Sequence, residues 1–343
     1  MKKGIGLLAV LILVLSSLFS AGCQSKATPD KAAPDKAVQD NKAPASKYPE
    51  KPIEFVVHTK PGAGADILAR TVSDIMTKEK MVNQPITVNN KSGGSGAVAF
   101  AYVAEKKGDP YFLLAAQPTL ITTTLKSGGS NFNMKSFTPL ANLGADESVI
   151  VVKADSKFQS MDDLIKAAKQ APKSVSQGGG AIGASDSIVG HLIQKAAGVT
   201  FNYVSFGTGG EVPPALLGGN VDFIVANPAE VIGLVEGKKL KIIGVAAEKR
   251  MEGMPDVPTL KEQGINVIYQ SFRGVVATSQ VPADTVAFWE STLEKITKTD
   301  AWKKYLKENG LTPTFMKSAD FGKYLDDQVK TYETVLKEMG QLK

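Results

Sequence analysis

The stretch Ile53-Glu54-Phe55-Val56-Val57-His58-Thr59-Lys60-Pro61-Gly62-Ala63-Gly64-Ala65-Asp66-Ile67-Leu68-Ala69-Arg70 decides the fold. Its first five residues form a short apolar run, which reads as a buried strand over 53–57. A glycine-containing loop follows. From 67 to 77 the residues Leu68, Val72, Ile75 and Met76 fall on one side of a helix. Strand, glycine loop and helix, in that order, are the repeating unit of an α/β domain.

Outward from this stretch the same alternation recurs. Ile86-Thr87-Val88 precedes a helical segment at 97–105, and an apolar run at 111–115 precedes another at 119–125. Further on, 202–204 is followed by 212–217, and 221–225 by 229–235. Such alternation predicts an α/β architecture with mostly parallel sheets. The tail predicts helices at 287–296, 302–307 and 321–339. In the last, Phe321, Leu325, Val329, Tyr332 and Leu336 make a stripe that reads as core packing.

The amino terminus differs in kind. Met1-Lys2-Lys3 leads into an apolar run and then Ser20-Ala21-Gly22-Cys23, so residues 1–22 read as a secretory signal. The run is about 15 residues, short of the roughly 20 that span a bilayer. Cys23 is the single cysteine of 343 residues and stands where a lipobox carries its lipidated cysteine, although Ser20 replaces the usual Leu. Residues 23–47 lack aromatic residues and nearly repeat Thr28-Pro29-Asp30-Lys31-Ala32 as Ala33-Pro34-Asp35-Lys36-Ala37, which predicts an extended tether. The expected place is therefore outside the cytoplasm, lipid-anchored to the outer face of the cell membrane.

Bulk composition narrows the function. The chain is 43% hydrophobic, enough to build cores without disulfides. Its net charge of +6 comes from 40 basic and 34 acidic residues in mixture, so no nucleic-acid partner is expected. Only Arg70, Arg250 and Arg273 among the basic residues are arginine. Two histidines, His58 and His191, allow no histidine metal cluster. In Gly62-Ala63-Gly64 the dinucleotide fingerprint lacks its third glycine, since Ile67 stands there, and no phosphate-binding Gly-Lys-Ser loop occurs. Ser185, Asp186 and His191 lack a strand-elbow context for hydrolysis. Neither an enzyme nor a bound cofactor is expected.

In open α/β sheets ligands sit beyond the carboxyl ends of the strands. Here those ends carry Pro61-Gly62-Ala63-Gly64-Ala65-Asp66, Ser92-Gly93-Gly94-Ser95-Gly96, Gln117-Pro118-Thr119, a segment running from Gln177 through Gly183 to Ser185, and Ser205-Phe206-Gly207-Thr208-Gly209-Gly210-Glu211. Asn227 stands just beyond the run at 221–225. Glycine lets main-chain amides approach a ligand, and a following helix adds partial positive charge. Convergence of such loops makes an anion site. Any one loop alone reads better as a tight turn, and it is the five together that point to a site.

The strings Tyr48-Pro49-Glu50-Lys51-Pro52-Ile53, Pro214-Ala215-Leu216-Leu217-Gly218-Gly219-Asn220-Val221-Asp222 and Met254-Pro255-Asp256-Val257-Pro258-Thr259-Leu260 join the first loop in a shared pattern. From Tyr48 onward the chain resembles the substrate-binding proteins of tripartite tricarboxylate transporters, the Bug-type extracytoplasmic receptors. The resemblance implies a two-lobe Venus-flytrap fold with two crossovers. Lobe 1 would take 48–150 and 269–343, and lobe 2 would take 151–268. It implies a monomeric receptor for an organic carboxylate, delivering it to a permease with large and small subunits. The family's ligand is pinched between loops that match Pro61 to Asp66 and Ser205 to Glu211. Phe206-Gly207-Thr208-Gly209-Gly210-Glu211 and Ser271-Phe272-Arg273-Gly274 are similar to the tricarboxylate branch, which points to a citrate-like anion. Arg273 would fork onto a carboxylate or serve a hinge ion pair. Asp66 would touch ligand or cap its helix, and Glu211 would cap. The same fold also serves a sensor that presents its ligand to a signalling partner.

Overall fold

Strand β1 (Ile53–Val57) and helix α1 (Gly64–Lys78) form where the opening stretch predicts them. The structure, a computed structural model, describes residues 48–128, 132–180, 182–206 and 211–342. The leader, the tether with Cys23, and Gly207, Thr208, Gly209 and Gly210 lie outside the described residues. The chain continues through β2 (Ile86–Asn90), α2 (Ala97–Ala104), β3 (Phe112–Ala116), α3 (Pro118–Lys126) and β4 (Phe137–Glu147). A second set follows: β5 (Val149–Lys153), α4 (Met161–Gln170), β6 (Ser176–Gly179), α5 (Ser185–Ala197), β7 (Asn202–Ser205), α6 (Val212–Leu217), β8 (Phe223–Ala226), α7 (Pro228–Glu236) and β9 (Leu240–Val245). The chain then returns through β10 (Gln270–Thr278), α8 (Ala283–Lys298), α9 (Asp300–Glu308), the short β11 (Leu311–Thr312) and β12 (Met316–Lys317), and α10 (Ser318–Glu338).

These elements make two sheets. The first runs β11-β4-β10-β3-β1-β2, with β12 also on β4, and the second runs β7-β6-β8-β5-β9. Each is the centre of its own lobe. In the first, Phe55 and Val57 pack toward α1, α8 and α9 with Trp289 and Trp302, while Val56 packs on the opposite face with Phe100, Leu120 and Phe321. In the second, Phe223 and Val225 face α4 and α5, and Ile224 and Ala226 face α6 and α7. The alternation is the two-residue period of a strand buried on both sides.

The sheets are mixed rather than mostly parallel, which corrects the sequence expectation. Strands β1, β2 and β3 are parallel, as are β6, β7 and β8. Strand β10 is antiparallel to β3 and β4, and β5 is antiparallel to β8 and β9. The reason is connectivity. One strand of each sheet carries the chain out of its lobe and another brings it back at the same seam, so the two run opposite ways.

Ser148 alone separates β4 from β5, so the second sheet starts at Val149, two residues before the expected boundary. The two crossovers are bonded to each other. The Ala246 amide donates to the Ser148 carbonyl at 2.8 Å, and the Tyr269 amide donates to the Ala246 carbonyl at 2.8 Å. Beside them Glu147 is buried, and its Oε1 accepts from Gln270 and Thr312 at 2.7 and 2.8 Å. Burial pushes its carboxyl above the usual value.

Candidate functional site

A cavity of about 300 Å³ lies where the two sheets present strand ends to each other. Its wall is made largely from the starts of helices. Helix α3 contributes Pro118, Thr119 and Thr122 from the first lobe. From the second lobe come Gly183 and Ala184 with Ser185 and Asp186 of α5, Val212 and Pro213 of α6, and Asn227 and Glu230 at the start of α7. Ser148 of the crossover closes one side. The positive ends of four helices thus converge on one space. Each adds roughly half a unit charge and main-chain donors. The arrangement follows from chain order, because strand-then-helix units put every helix start at the strand's carboxyl edge.

Two carboxylates organise the loops on either side. Asp66 is buried in the first turn of α1. Its Oδ2 accepts from the Gly62 amide at 2.8 Å, its Oδ1 from Asn90 at 2.9 Å, and Arg70 Nε donates to both oxygens at 3.0 Å. Burial pushes this carboxyl up, but the bonds from Arg70, Gly62 and Asn90 outweigh it and hold it below its usual value. Gly62 sits at φ +83°, a conformation glycine adopts without strain. Asp186 has the matching role in the other lobe. Its Oδ1 accepts from the Ser187 amide at 2.9 Å, and its Oδ2 accepts from the Gly180 amide. Here burial dominates and pushes the carboxyl up. At α7 the Glu230 carboxylate accepts from the Asn227 amide at 3.1 Å. Desolvation, and then the charge of Asp186, push Glu230 up as well.

The structure brings four of the residues expected at the site onto the cavity wall: Thr119, Gly183, Ser185 and Asn227. The other described residues make contacts of their own. Asp66 spends its oxygens on Gly62, Arg70 and Asn90 and so braces its own loop, and α1 has no side-chain cap bond. Pro61, Gly62, Ala63, Gly64 and Ala65 form that loop and the first residues of α1, and they are not among the residues lining this cavity. Arg273 is buried behind α1, not presented to the cavity. Its Nη2 donates to Asp146, and a Cβ on Gly64 would come within 3.0 Å of its Nη1. Burial lowers its pKa to about 10. Gln117 is half-buried just outside the wall, with its Nε2 unpartnered among the described residues. Ser205 donates to the Gly180 carbonyl at 2.8 Å and so braces the loop from behind.

Two further readings change. Ser176-Gln177-Gly178-Gly179 is strand β6, not loop, and its glycines answer neighbours. A Cβ on Gly178 would meet Val221 at 2.9 Å, and one on Gly179 would meet Asp186 at 2.6 Å. Tyr332 belongs to the α10 stripe yet also reaches the cavity wall. Its hydroxyl is 2.6 Å from that of Tyr269, which in turn donates to Ser185 Oγ at 3.0 Å. Sequence spacing missed Ser148, Thr122 and Glu230, although Asn227-Pro228 with Glu230 three positions on is a legible capping signal. His191 Nε2 lies 3.1 Å from Glu338, while Ser185 Oγ accepts from Tyr269. Among the described residues no cluster of His, Cys, Asp and Glu would hold a metal, and no helix is long and apolar enough to cross a membrane.

Two α/β lobes, doubly crossed over and closing on a cavity ringed by helix starts, define a periplasmic-binding-protein-like solute-binding protein. The chain belongs to the tripartite tricarboxylate transporter family receptor (TctC), whose profile matches residues 68–341. This is a family of solute-binding receptors rather than enzymes. A Cupriavidus necator relative, the UPF0065 protein in the gbd 5' region, is 26% identical over 301 residues, covering 88% of this chain and 91% of its own. The crystal structure of a TctC solute binding protein from Polaromonas is 28% identical with a TM-score of 0.73, covering 85% of this chain and 99% of its own. A Rhodopseudomonas (R.) palustris protein determined with adipate is 24% identical with a TM-score of 0.76, covering 85% of this chain and 98% of its own.

Asp66→Ala removes the group that holds the Gly62 loop. Bonds to a charged acceptor contribute about 1.5–3 kcal/mol each before compensation, so a net loss of about 2–3 kcal/mol at pH 7 is expected. The folded-state pKa is depressed, so this contribution is present above the usual value of 3.8 and is lost as pH falls through the lower folded value. Denaturant unfolding at pH 7 and near pH 3 measures it. An unchanged midpoint at pH 7 contradicts the assignment.

Proposed function

We propose that this protein is a lipid-anchored extracytoplasmic receptor that captures a citrate-like di- or tricarboxylate between its lobes. The observation that carries the reading is the ring of helix starts around one inter-lobe cavity. Family membership supports it, and so does the R. palustris neighbour, whose ligand is a dicarboxylate. Thr119, Gly183, Ser185 and Asn227 supply the contacts, with Gly207, Thr208, Gly209 and Gly210 completing the second-lobe side. The ligand engages both lobes at once, which favours the closed arrangement through contacts that exist only there. The bonded crossovers at Ser148 and Ala246–Tyr269 serve as the hinge. The closed form hands its ligand to a permease of large and small subunits.

Titration calorimetry of the full-length chain in detergent against adipate, malate and citrate tests the binding. At least one of them is expected to bind saturably, and neutral sugars are expected not to bind. Binding of a neutral sugar with no heat from any carboxylate contradicts the reading.

The anchor has its own support in Cys23, which follows a basic, apolar and small-residue leader. Two acyl chains give lasting membrane attachment where one gives only marginal binding. Cys23→Ser is expected to move the protein from the membrane fraction to the soluble fraction of cells. Retention in the membrane fraction contradicts lipidation at this residue.

A further inference from the structure

The cavity wall has a charge problem for an anionic ligand. Its described residues include the carboxylates of Asp186 and Glu230 and neither lysine nor arginine. The nearby cations are committed elsewhere. Arg273 pairs with Asp146 and Arg70 with Asp66, while His191 and Lys195 both meet Glu338. The helix starts offset part of the deficit, but three of the four begin with proline at the first or second position and so present fewer amides.

One cation stands apart. Thr119, Thr122 and Lys126 lie at spacings of three and four along α3, which places them on one stripe of the helix. Thr119 and Thr122 are on the cavity wall, so the stripe faces the second lobe. At its end the Lys126 ammonium crosses to that lobe and donates to the Ile182 carbonyl at 2.9 Å. It rests against Gly183, itself a wall residue, so closely that a Cβ there would overlap it. No described acid pairs with it. A lysine in the last turn of a helix ordinarily answers the helix's own carbonyls. This one reaches the opposite lobe instead. Lys126 is exposed as a whole, and the part of its side chain covered by lobe 2 lowers the pKa of its ammonium, a penalty that a bound anion relieves.

We propose that Lys126 is the specificity-determining cation of the cleft, taking one carboxylate of a ligand that carries two or more while the helix starts hold another. The proposal rests on the carboxylate-receptor reading and deepens it. An ammonium has three donors. One stays on Ile182 and another turns to the ligand, so the same group ties lobe 1, ligand and lobe 2 together. A dianion is thereby distinguished from a monoacid of equal length. Lysine suits this place because its ammonium rotates, whereas a guanidinium is fixed as a planar fork.

The test compares adipate with hexanoate, two six-carbon acids that differ by one carboxylate, on the wild-type chain and on Lys126→Gln and Lys126→Arg. Full-length protein in detergent is titrated at low and at physiological salt. Lys126→Gln is expected to weaken adipate by at least about tenfold, the scale of one lost charge-assisted bond. Hexanoate affinity is expected to change less than threefold, which is under about half of a tenfold step in free energy. The adipate-to-hexanoate ratio therefore collapses, and the salt dependence of adipate binding flattens. Lys126→Arg is expected to keep most of the ratio. A lysine that merely bridged the lobes would weaken both acids equally, leaving the ratio intact, and that result overturns the proposal. So does adipate binding by Lys126→Gln that matches the wild type. Citrate replaces adipate in the same design if adipate does not bind. If the wild type binds no carboxylate at all, the receptor reading fails first and the role of Lys126 falls with it.

Discussion

Main-chain amides at a helix start have no partner inside their own helix. In this protein chain order decides where they point. Each strand-then-helix unit turns at the carboxyl edge of its sheet, and the two sheets turn those edges toward each other. Helices α3, α5, α6 and α7 therefore begin around one cavity. Charge, solvent access and the choice of side chains near the gap all answer to that convergence. Small residues such as Gly180, Gly183 and Ala184 border it, which lets main-chain groups reach the cavity.

The aspartates Asp66 and Asp186 show how the two lobes solve one local problem in the same way. Each stands in the first turn of the helix after its lobe's glycine loop, and each accepts from a glycine amide earlier in that loop. Their electrostatics differ. Arg70 and Asn90 stabilise the charge on Asp66, whereas Asp186 has no cation and is pushed up by burial. Asp186 and Glu230 both line the cavity from lobe 2, and burial pushes both carboxyls up. In the proposed reading Lys126 of α3, which already donates to Ile182 of lobe 2, supplies positive charge from across the gap. The hinge is equally economical. Ser148 passes the chain between sheets in one residue, and the return crossover bonds back to it through Ala246. In the proposed reading this point is where one lobe turns against the other.

Much of the fold was legible because local chemistry and tertiary demand agree. The run Ile53–Val57 is a strand by pattern and a strand in place, and Val212–Leu217 is the helix its sequence suggests. Strand β6 was not legible. Gly178 and Gly179 have low strand preference, and they are there because Val221, Tyr203 and Asp186 leave no room for a side chain. Strand β4 ends in Asp146 and Glu147, buried polar residues whose partners, Arg273 and Gln270, are far along the chain. Arg273 read equally as a ligand fork or a hinge ion pair for the same reason, and it pairs with Asp146. Nothing near it in sequence announces Asp146, 127 positions away. Lys126 was invisible for the opposite reason, as one lysine on a lysine-rich chain. Only the placement of Ile182 and Gly183 distinguishes it.

The central claim is that helix starts from both lobes hold the ligand in one shared cavity. A crystal structure of the protein grown with the carboxylate that binds it most tightly tests this most directly. The account predicts a carboxylate oxygen within hydrogen-bond distance of main-chain amides at the starts of α3 and α5, with Lys126 turned toward the anion. Electron density for the ligand on an outer surface, or contacts to one lobe alone, would contradict it.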